Sequence, residues 1–370
     1  MRAAVLRQQG EPIGIEEGVD IIAPRAGEVR VNIAYCSLCH SDYSVLSGAM
    51  LPVAGPIILG HEASGVVESV GEGVSHLAVG DRVVLTPVPS CGTCYYCLRG
   101  NPSLCVQGQS MMTNRLADGS TGLSRNGEEI LRGIGVAALA EQVVCPASGA
   151  VKIDDDIPLE VACVAGCAVQ TGVGAVLNTA SVEEGATVLV MGLGAIGLAV
   201  VQGAKMAAAG KIIASDPIAE RRELALSLGA TEVIDPASDD PVAYAVGETG
   251  GIGVDYVFIA VGHAPLIEQG VRASRAGGTT VCVGAPPIEQ GVALENVVMF
   301  AVAEKKLCGC LLGSCNANYD IPRLMRAYQN GQIDLAAMTS RIRPLEEINE
   351  AFDDLHHGRE VRTVMKIAAD

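Results

Sequence analysis

The chain has no tryptophan, three phenylalanines and eight tyrosines among 370 residues. At 3% aromatic it lacks the stacking platforms that single-stranded nucleic acid binding uses. Basic residues are few, 25 against 42 acidic ones, and the formal charge of -17 repels nucleic acid and anionic membranes alike. Charged residues make up only 18% and hydrophobic ones 49%, which excludes disorder and leaves ample chain for a large packed core. A long apolar run is also missing. The longest, 188–201, has 14 residues interrupted by three glycines and is short for a bilayer span. Residues 1–10 hold no secretory apolar segment, so a cytoplasmic, reducing location is expected, with neither membrane nor nucleic acid as a partner.

Against these absences stand 44 glycines and 13 cysteines. So many glycines point to tight backbone approaches. The cysteines are too sparse for a disulfide scaffold and too clustered to be scattered core residues, so metal binding is the first reading. The length fits two domains. From residue 1 to about 145 the chain reads as short β-type runs broken by Gly, Pro and Asp, at 27–35, 63–71 and 81–87. From about 169 to 311, apolar strands alternate with Ala-rich helical stretches: Thr187–Met191, 195–208, Lys211–Ser215, Ala219–Leu228, 256–261 and 279–283. That alternation predicts a doubly wound parallel sheet and an α/β class. Helical periodicity resumes at 321–330 and 345–356 before a last strand at 363–367, which is expected to rejoin the first module. The acidic residues 154–156 read as a solvated loop.

Three motifs carry chemistry. Cys91, Cys94, Cys97 and Cys105 are spaced C-x2-C-x2-C-x7-C on a loop rich in Gly and Pro. Four thiolates so spaced match a closed tetrahedral zinc site with a structural role. The competing iron–sulfur reading suits a fourth cysteine that lies closer and precedes proline. A dispersed set, Cys39, His61 and Cys167, supplies the Cys2His ligands of a catalytic zinc with one exchangeable position. Taken singly, each of these residues is more often a buried thiol or a satisfied histidine. Their company with the four-Cys loop changes that balance. Finally, Gly192, Gly194 and Gly197 form G-x-G-x-x-G directly after an apolar strand and at the head of a helix, and Asp216 follows 19 residues after Gly197. This is the dinucleotide fingerprint in its proper context, with Asp216 placed to accept from the adenosine ribose hydroxyls. A carboxylate there repels a 2′-phosphate, so NAD is expected over NADP.

Together these residues resemble the zinc-dependent medium-chain alcohol dehydrogenases over nearly the whole chain. The matching stretches are Gly-His-Glu-Ala-Ser-Gly-Val-Val at 60–67, the four-Cys loop, Gly-Cys-Ala-Val-Gln-Thr-Gly at 166–172, residues 192–197, Val-Gly-Ala-Pro-Pro at 283–287 and Arg-Thr-Val at 362–364. The resemblance implies a GroES-like β-barrel catalytic domain over 1–168, a Rossmann domain over 169–311 and a return to the catalytic domain over 312–370, with the active site in the cleft between the two domains. It implies two zinc ions per chain, NAD as cofactor, a small alcohol or aldehyde as substrate, and a homodimer in preference to a tetramer. The dimer expectation rests on the long 111–136 loop. Ser41 corresponds to the hydroxyl that carries the alcohol proton away, Asp42 to the carboxylate that orients His61, and Glu62 to a carboxylate beside the metal. His40 and Arg362 correspond to pyrophosphate contacts, Arg221 to a basic residue near the ribose, and Thr171 to a residue against the nicotinamide.

The chain departs from the pattern at Ser44, where many relatives carry the histidine that ends the proton relay, and at Pro87, where some carry a pocket aromatic. Met50, Leu116 and Leu139 fall in the other pocket regions. Glutathione-dependent formaldehyde dehydrogenase is the narrower rival, but it needs a basic anchor four residues after Cys105, where this chain has Gln109; Arg115 is out of register. A non-catalytic nucleotide-binding relative would have lost a zinc ligand, and none is lost. The other seven cysteines read as inert buried thiols, and Cys308-Gly309-Cys310 lacks redox C-x-x-C spacing. His263 lies where a cofactor approaches the sheet edge and reads equally as a neighbour of NAD or as a solvated loop histidine, while His76, His356 and His357 read as surface groups.

Overall fold

Period-two burial makes the first unit a sheet structure. In Glu28–Ser37 the side chains of Val29, Val31 and Ile33 turn inward while Arg30 and Asn32 do not, so one face of the strand joins the core. The computed structural model describes residues 1–49, 52–294 and 296–368; Met50 and the last two residues of the tail lie outside them. The chain divides into a unit of Met1–Ala168, Asn316–Gly331 and Leu335–Asp370, and a unit of Val169–Cys315 with Gln332–Asp334.

In the first unit the main sheet runs in the order Ala150–Lys152, Arg82–Leu85, Glu62–Val70, Glu28–Ser37, Thr363–Lys366 and Arg341–Pro344, and Gln142–Pro146 also pairs with Glu28–Ser37. A smaller sheet orders Leu131–Arg132, Ile57–Ile58, Ala3–Leu6 and Gly14–Glu16. One apolar cluster, with Leu6, Ile33, Leu38, Ile58, Leu59 and Ile130, fills the unit. The C-terminal strand pairs antiparallel with Glu28–Ser37, Val364 facing Ser37, so the tail rejoins this unit as the sequence anticipates. The strand expected at 81–87 stops at Leu85, short of Pro87, which has no N–H for the ladder.

The second unit carries six parallel strands, ordered Glu232–Ile234, Lys211–Ser215, Thr187–Met191, Val254–Ile259, Ser274–Cys282 and Lys306–Gly309. Numbered within the unit this order is 3-2-1-4-5-6, with its topological switch point between Thr187–Met191 and Val254–Ile259. Three elements match the sequence expectation residue for residue: Thr187–Met191, Lys211–Ser215 and Ala219–Leu228. Among the helices with no counterpart in the sequence pattern, Pro241–Gly247 and Ala264–Ala273 both have proline in the first turn. Among the described residues no single helix is long and apolar enough to cross a membrane.

The long 111–136 segment is held by Arg132. Its side chain is 0% exposed, and the guanidinium donates to the carbonyls of Thr121 at 3.1 Å, Val136 at 3.0 Å and Val144 at 2.5 Å. Burial pushes its pKa down to about 10. Arg132→Met keeps the apolar stem and leaves those carbonyls buried without donors. A urea titration of this variant is expected to show stability lower by roughly 2–4 kcal/mol; a loss under about 0.5 kcal/mol, the size of an ordinary surface change, would contradict this role.

Candidate active site

The four-Cys loop closes on itself through short turns. Cys94 caps the helix Tyr95–Leu98, and Cys105 sits between the turns Pro102–Leu104 and Val106–Gln109. The four sulfurs lie within 4.8 Å of one another, with Cys91 to Cys97 at 4.0 Å and Cys94 to Cys105 at 3.9 Å. Zinc–sulfur bonds of about 2.3 Å in a tetrahedron separate sulfurs by about 3.8 Å, so the cage fits zinc closely. The backbone N–H of Cys94 donates to the Cys91 sulfur at 3.3 Å, and that of Cys91 to the Cys105 sulfur at 3.2 Å. Such donors favour thiolate; those from Thr93 and Cys94 bring Cys91 down to about 6. All thirteen cysteines are free of disulfides.

A second cluster assembles from three separate places in the first unit. Cys39 precedes the helix His40–Leu46, His61 opens onto the strand Glu62–Val70, and Cys167 follows the tight turn Cys163–Gly166. All three are buried, Glu62 with them, and one ligand atom of each of the four lies within 4.8 Å of the rest. Asp42 holds the imidazole: its Oδ2 is 3.1 Å from His61 Nδ1, while its Oδ1 accepts from the Gly60 N–H at 2.8 Å. A ring anchored through Nδ1 offers Nε2 to a metal. Burial opposes a charge on His61, yet the Asp42 carboxylate and the Cys39 sulfur beside it raise its pKa well above the usual value. Neither Glu62 oxygen has a well-formed hydrogen bond among the described residues, and burial pushes that carboxyl up to about 8. Buried, unsatisfied donors of this kind, with two thiols and an imidazole, fit a catalytic zinc.

Arg362 enters this cluster from the C-terminal tail. It is buried, with Nη2 3.3 Å from Glu62 Oε1 and Nη1 donating to the Leu38 carbonyl. The family resemblance points Arg362 to the pyrophosphate and gives no sign of this internal pairing; nothing in local spacing links residues 62 and 362. Ser41 Oγ lies 3.8 Å from the Cys39 sulfur, and His40 is exposed at the start of its helix. The side chains of Leu116 and Leu139 are buried, and Leu139 belongs to the apolar cluster of the first unit.

In the second unit the glycine loop follows Thr187–Met191. Gly192 has φ +91°, and a Cβ on Gly197 would lie 1.8 Å from the Gly192 carbonyl oxygen, so only glycine permits that turn to pack on the helix Ala195–Met206. A Cβ on Gly194, by contrast, would face open space, the side from which a phosphate approaches the helix N-terminus. Asp216 Oδ2 accepts from the Leu193 N–H at 2.7 Å and Oδ1 from the Ile218 N–H at 2.9 Å, so this carboxylate also shapes the loop, a second role that the fingerprint spacing does not signal. Arg221 Nη1 is 4.0 Å from Asp216 Oδ2. Gly192, Asp216, Arg221, Ser238 and His263 line one cavity of about 760 Å³, ample for a nucleoside. Thr171 is buried, and its hydroxyl has no hydrogen-bond partner among the described residues.

Comparisons with known proteins agree with this arrangement. Residues 25–155 match the family described as alcohol dehydrogenase GroES-like domain, and 195–330 the one described as zinc-binding dehydrogenase. An NDMA-dependent alcohol dehydrogenase of Amycolatopsis methanolica is 40% identical over 100% of this chain and 99% of its own. An S-(hydroxymethyl)glutathione dehydrogenase of Synechocystis sp. is 36% identical over 98% and 99%. Among solved structures, benzyl alcohol dehydrogenase of Acinetobacter calcoaceticus superposes with a TM-score of 0.93 at 32% identity over 99% of each chain.

The four-Cys cage makes a prediction separate from catalysis. Cys94→Ser is expected to remove one zinc per chain, counted by elemental analysis, and to lower the melting temperature, because binding energy at a structural zinc is folding energy. Unchanged zinc content in that variant would contradict the assignment.

Proposed function

The chain belongs to the zinc-dependent medium-chain alcohol dehydrogenase family and is an alcohol oxidoreductase, and from that premise we propose that it interconverts a small alcohol and its aldehyde or ketone with NAD. The observation that carries this reading is the buried Cys39, His61 and Cys167 set with Asp42 behind the imidazole. When bound, zinc supplies Lewis acidity at the alcohol oxygen and NAD the hydride acceptor. Each oxidation gives up one hydride and one proton. Ser41 takes the role of passing that proton outward from the Cys39 side of the site. With Ser44 where a relay histidine would stand, water is its expected next acceptor. Asp42 fixes the His61 tautomer and raises its strength as a ligand. Arg362 holds Glu62 by an ion pair, so this carboxylate does not face the metal uncompensated.

Asp216 sets the cofactor choice in this account. Its carboxylate accepts from ribose hydroxyls and repels a 2′-phosphate, which favours NAD over NADP. The open side of Gly194 receives the pyrophosphate, Arg221 flanks the ribose and Thr171 the nicotinamide. The protein is further proposed to be cytoplasmic and to assemble from identical copies, a dimer before a tetramer.

The formaldehyde reading has relatives behind it but a weaker site. Gln109 stands where a basic anchor is needed, and Arg115 is taken by a two-pronged pair with Glu129 at 2.8 and 2.7 Å.

Ser41→Ala is expected to lower kcat roughly 10²-fold, the size of a lost proton-transfer group, with activity restored in Ser41→Thr. Asp216→Ser is expected to raise the KM for NAD about tenfold and narrow the preference over NADP, since one charge-assisted hydrogen bond is worth about 1.5 kcal/mol. The test is a panel of primary, secondary, allylic and benzylic alcohols with NAD, NADP or NDMA as acceptor, with and without a zinc chelator. Chelator-sensitive, NAD-preferring turnover supports the reading; turnover only of formaldehyde with glutathione would replace it.

A further inference from the structure

Two neighbouring arginines on one helix serve the nucleoside cavity in different ways. Successive helical residues point about 100° apart, and in Ala219–Leu228 this leaves Arg221 lining the cavity while Arg222 does not line it. The Arg222 side chain is nonetheless only 17% exposed. Its Nη1 donates to the backbone carbonyl of Asp216 at 2.7 Å, and its Nη2 lies 3.1 Å from Asp235 Oδ2. One planar guanidinium thus spans the ends of two adjacent strands, Lys211–Ser215 and Glu232–Ile234.

Both strand ends run on into walls of the cavity. Asp216, Pro217 and Ile218 follow the first strand, and Pro236, Ser238 and Asp239 follow the second. Residues 236–240 are all exposed, so hydrogen bonds and not core packing set where this second wall stands. The wall is a turn built on Asp235. Its Oδ1 accepts from the Ala237 N–H at 3.0 Å, and its carbonyl accepts from the N–H groups of Ser238 and Asp239 at 3.1 and 3.0 Å. Between the strand ends the backbone supplies a long bond, from the Asp216 N–H to the Ile234 carbonyl at 3.3 Å. Arg222 adds a charge-assisted tie one residue further along each segment.

We propose that Arg222 is a positioning residue for the cofactor: it holds the Asp235 turn to the Asp216 strand end, so that the cavity for the adenosine half of the dinucleotide stands formed before the ligand arrives. The proposal rests on the reading of that cavity as the site of NAD. A wall already in place spares the ligand the cost of ordering it, which strengthens binding without a direct contact. The brace touches only segments that line this cavity, so a ligand with nicotinamide and no adenosine is indifferent to it.

The test is calorimetry of the full, zinc-loaded protein with NAD, AMP and nicotinamide mononucleotide. Arg222→Met keeps the apolar stem and is expected to weaken NAD and AMP by the same factor, about tenfold for one lost charge-assisted tie, with the affinity of the mononucleotide unchanged. Arg222→Lys, which offers one ammonium to two acceptors, is expected to hold that loss to about threefold. Asp235→Asn keeps an acceptor for the Ala237 N–H and removes the charge facing Arg222. It too is expected to weaken NAD and AMP, and to add little when combined with Arg222→Met, because the two changes cut the same tie. Unchanged NAD and AMP affinities in Arg222→Met or in Asp235→Asn would overturn the proposal, as would a loss that falls equally on the mononucleotide. A wild-type protein that binds neither NAD nor AMP would overturn the cofactor reading and this proposal with it.

Discussion

Two thiols and a carboxyl are buried together around one imidazole, and the first unit is arranged to bear that charge. Cys39, Cys167 and Glu62 are each acidic groups shut away from water, and the permanent cation touching them is Arg362. Burying anions without compensation is far more costly than any single contact in the fold repays. The groups must therefore keep their protons or share a metal. Asp42 biases that choice by fixing the imidazole through Nδ1 and leaving its other nitrogen to the cluster. The C-terminal strand Thr363–Lys366 then has a second purpose beyond closing the sheet, since it seats Arg362 against Glu62.

The two units solve their chemistry in comparable ways. In each, rigid strands end where a short irregular stretch must begin, and that stretch carries the reactive or binding groups. In the first unit Ser37 ends a strand two residues before Cys39, and His61 immediately precedes another. In the second, Met191 and Ser215 end parallel strands at Gly192 and Asp216, beside the switch point of the sheet. The Leu193 to Asp216 hydrogen bond ties these two stretches together, so the group read as a ribose ligand is part of what shapes the phosphate loop.

Local signals make much of this legible in the amino-acid sequence. The four cysteines of the cage lie within 15 residues, and the glycine fingerprint within six, so their spacing alone states their geometry. Parallel strands with apolar runs are equally plain. The helices Pro241–Gly247 and Ala264–Ala273 are hidden because their opening prolines read as loops, although Asp240 accepts from the Val242 N–H as a proper cap. Long-range pairings have no signal at all. The Glu62 and Arg362 pair spans 300 residues, and the Arg132 anchor of the long loop depends on carbonyls, which carry no side-chain signature. The burial of Leu139 goes unsignalled for the same kind of reason: it depends on the Gly60 turn folding over it, a three-dimensional fact.

X-ray absorption at the zinc edge tests the central claim most directly, because it counts the atoms around the metal without relying on turnover. If Cys39, His61 and Cys167 hold a second zinc beside the four-Cys site, the purified protein carries two zincs per chain, with an average shell of about three sulfurs near 2.3 Å and one nitrogen or oxygen near 2.0 Å. A single zinc per chain with four sulfurs and no lighter neighbour would leave the buried cluster without its metal and contradict the account.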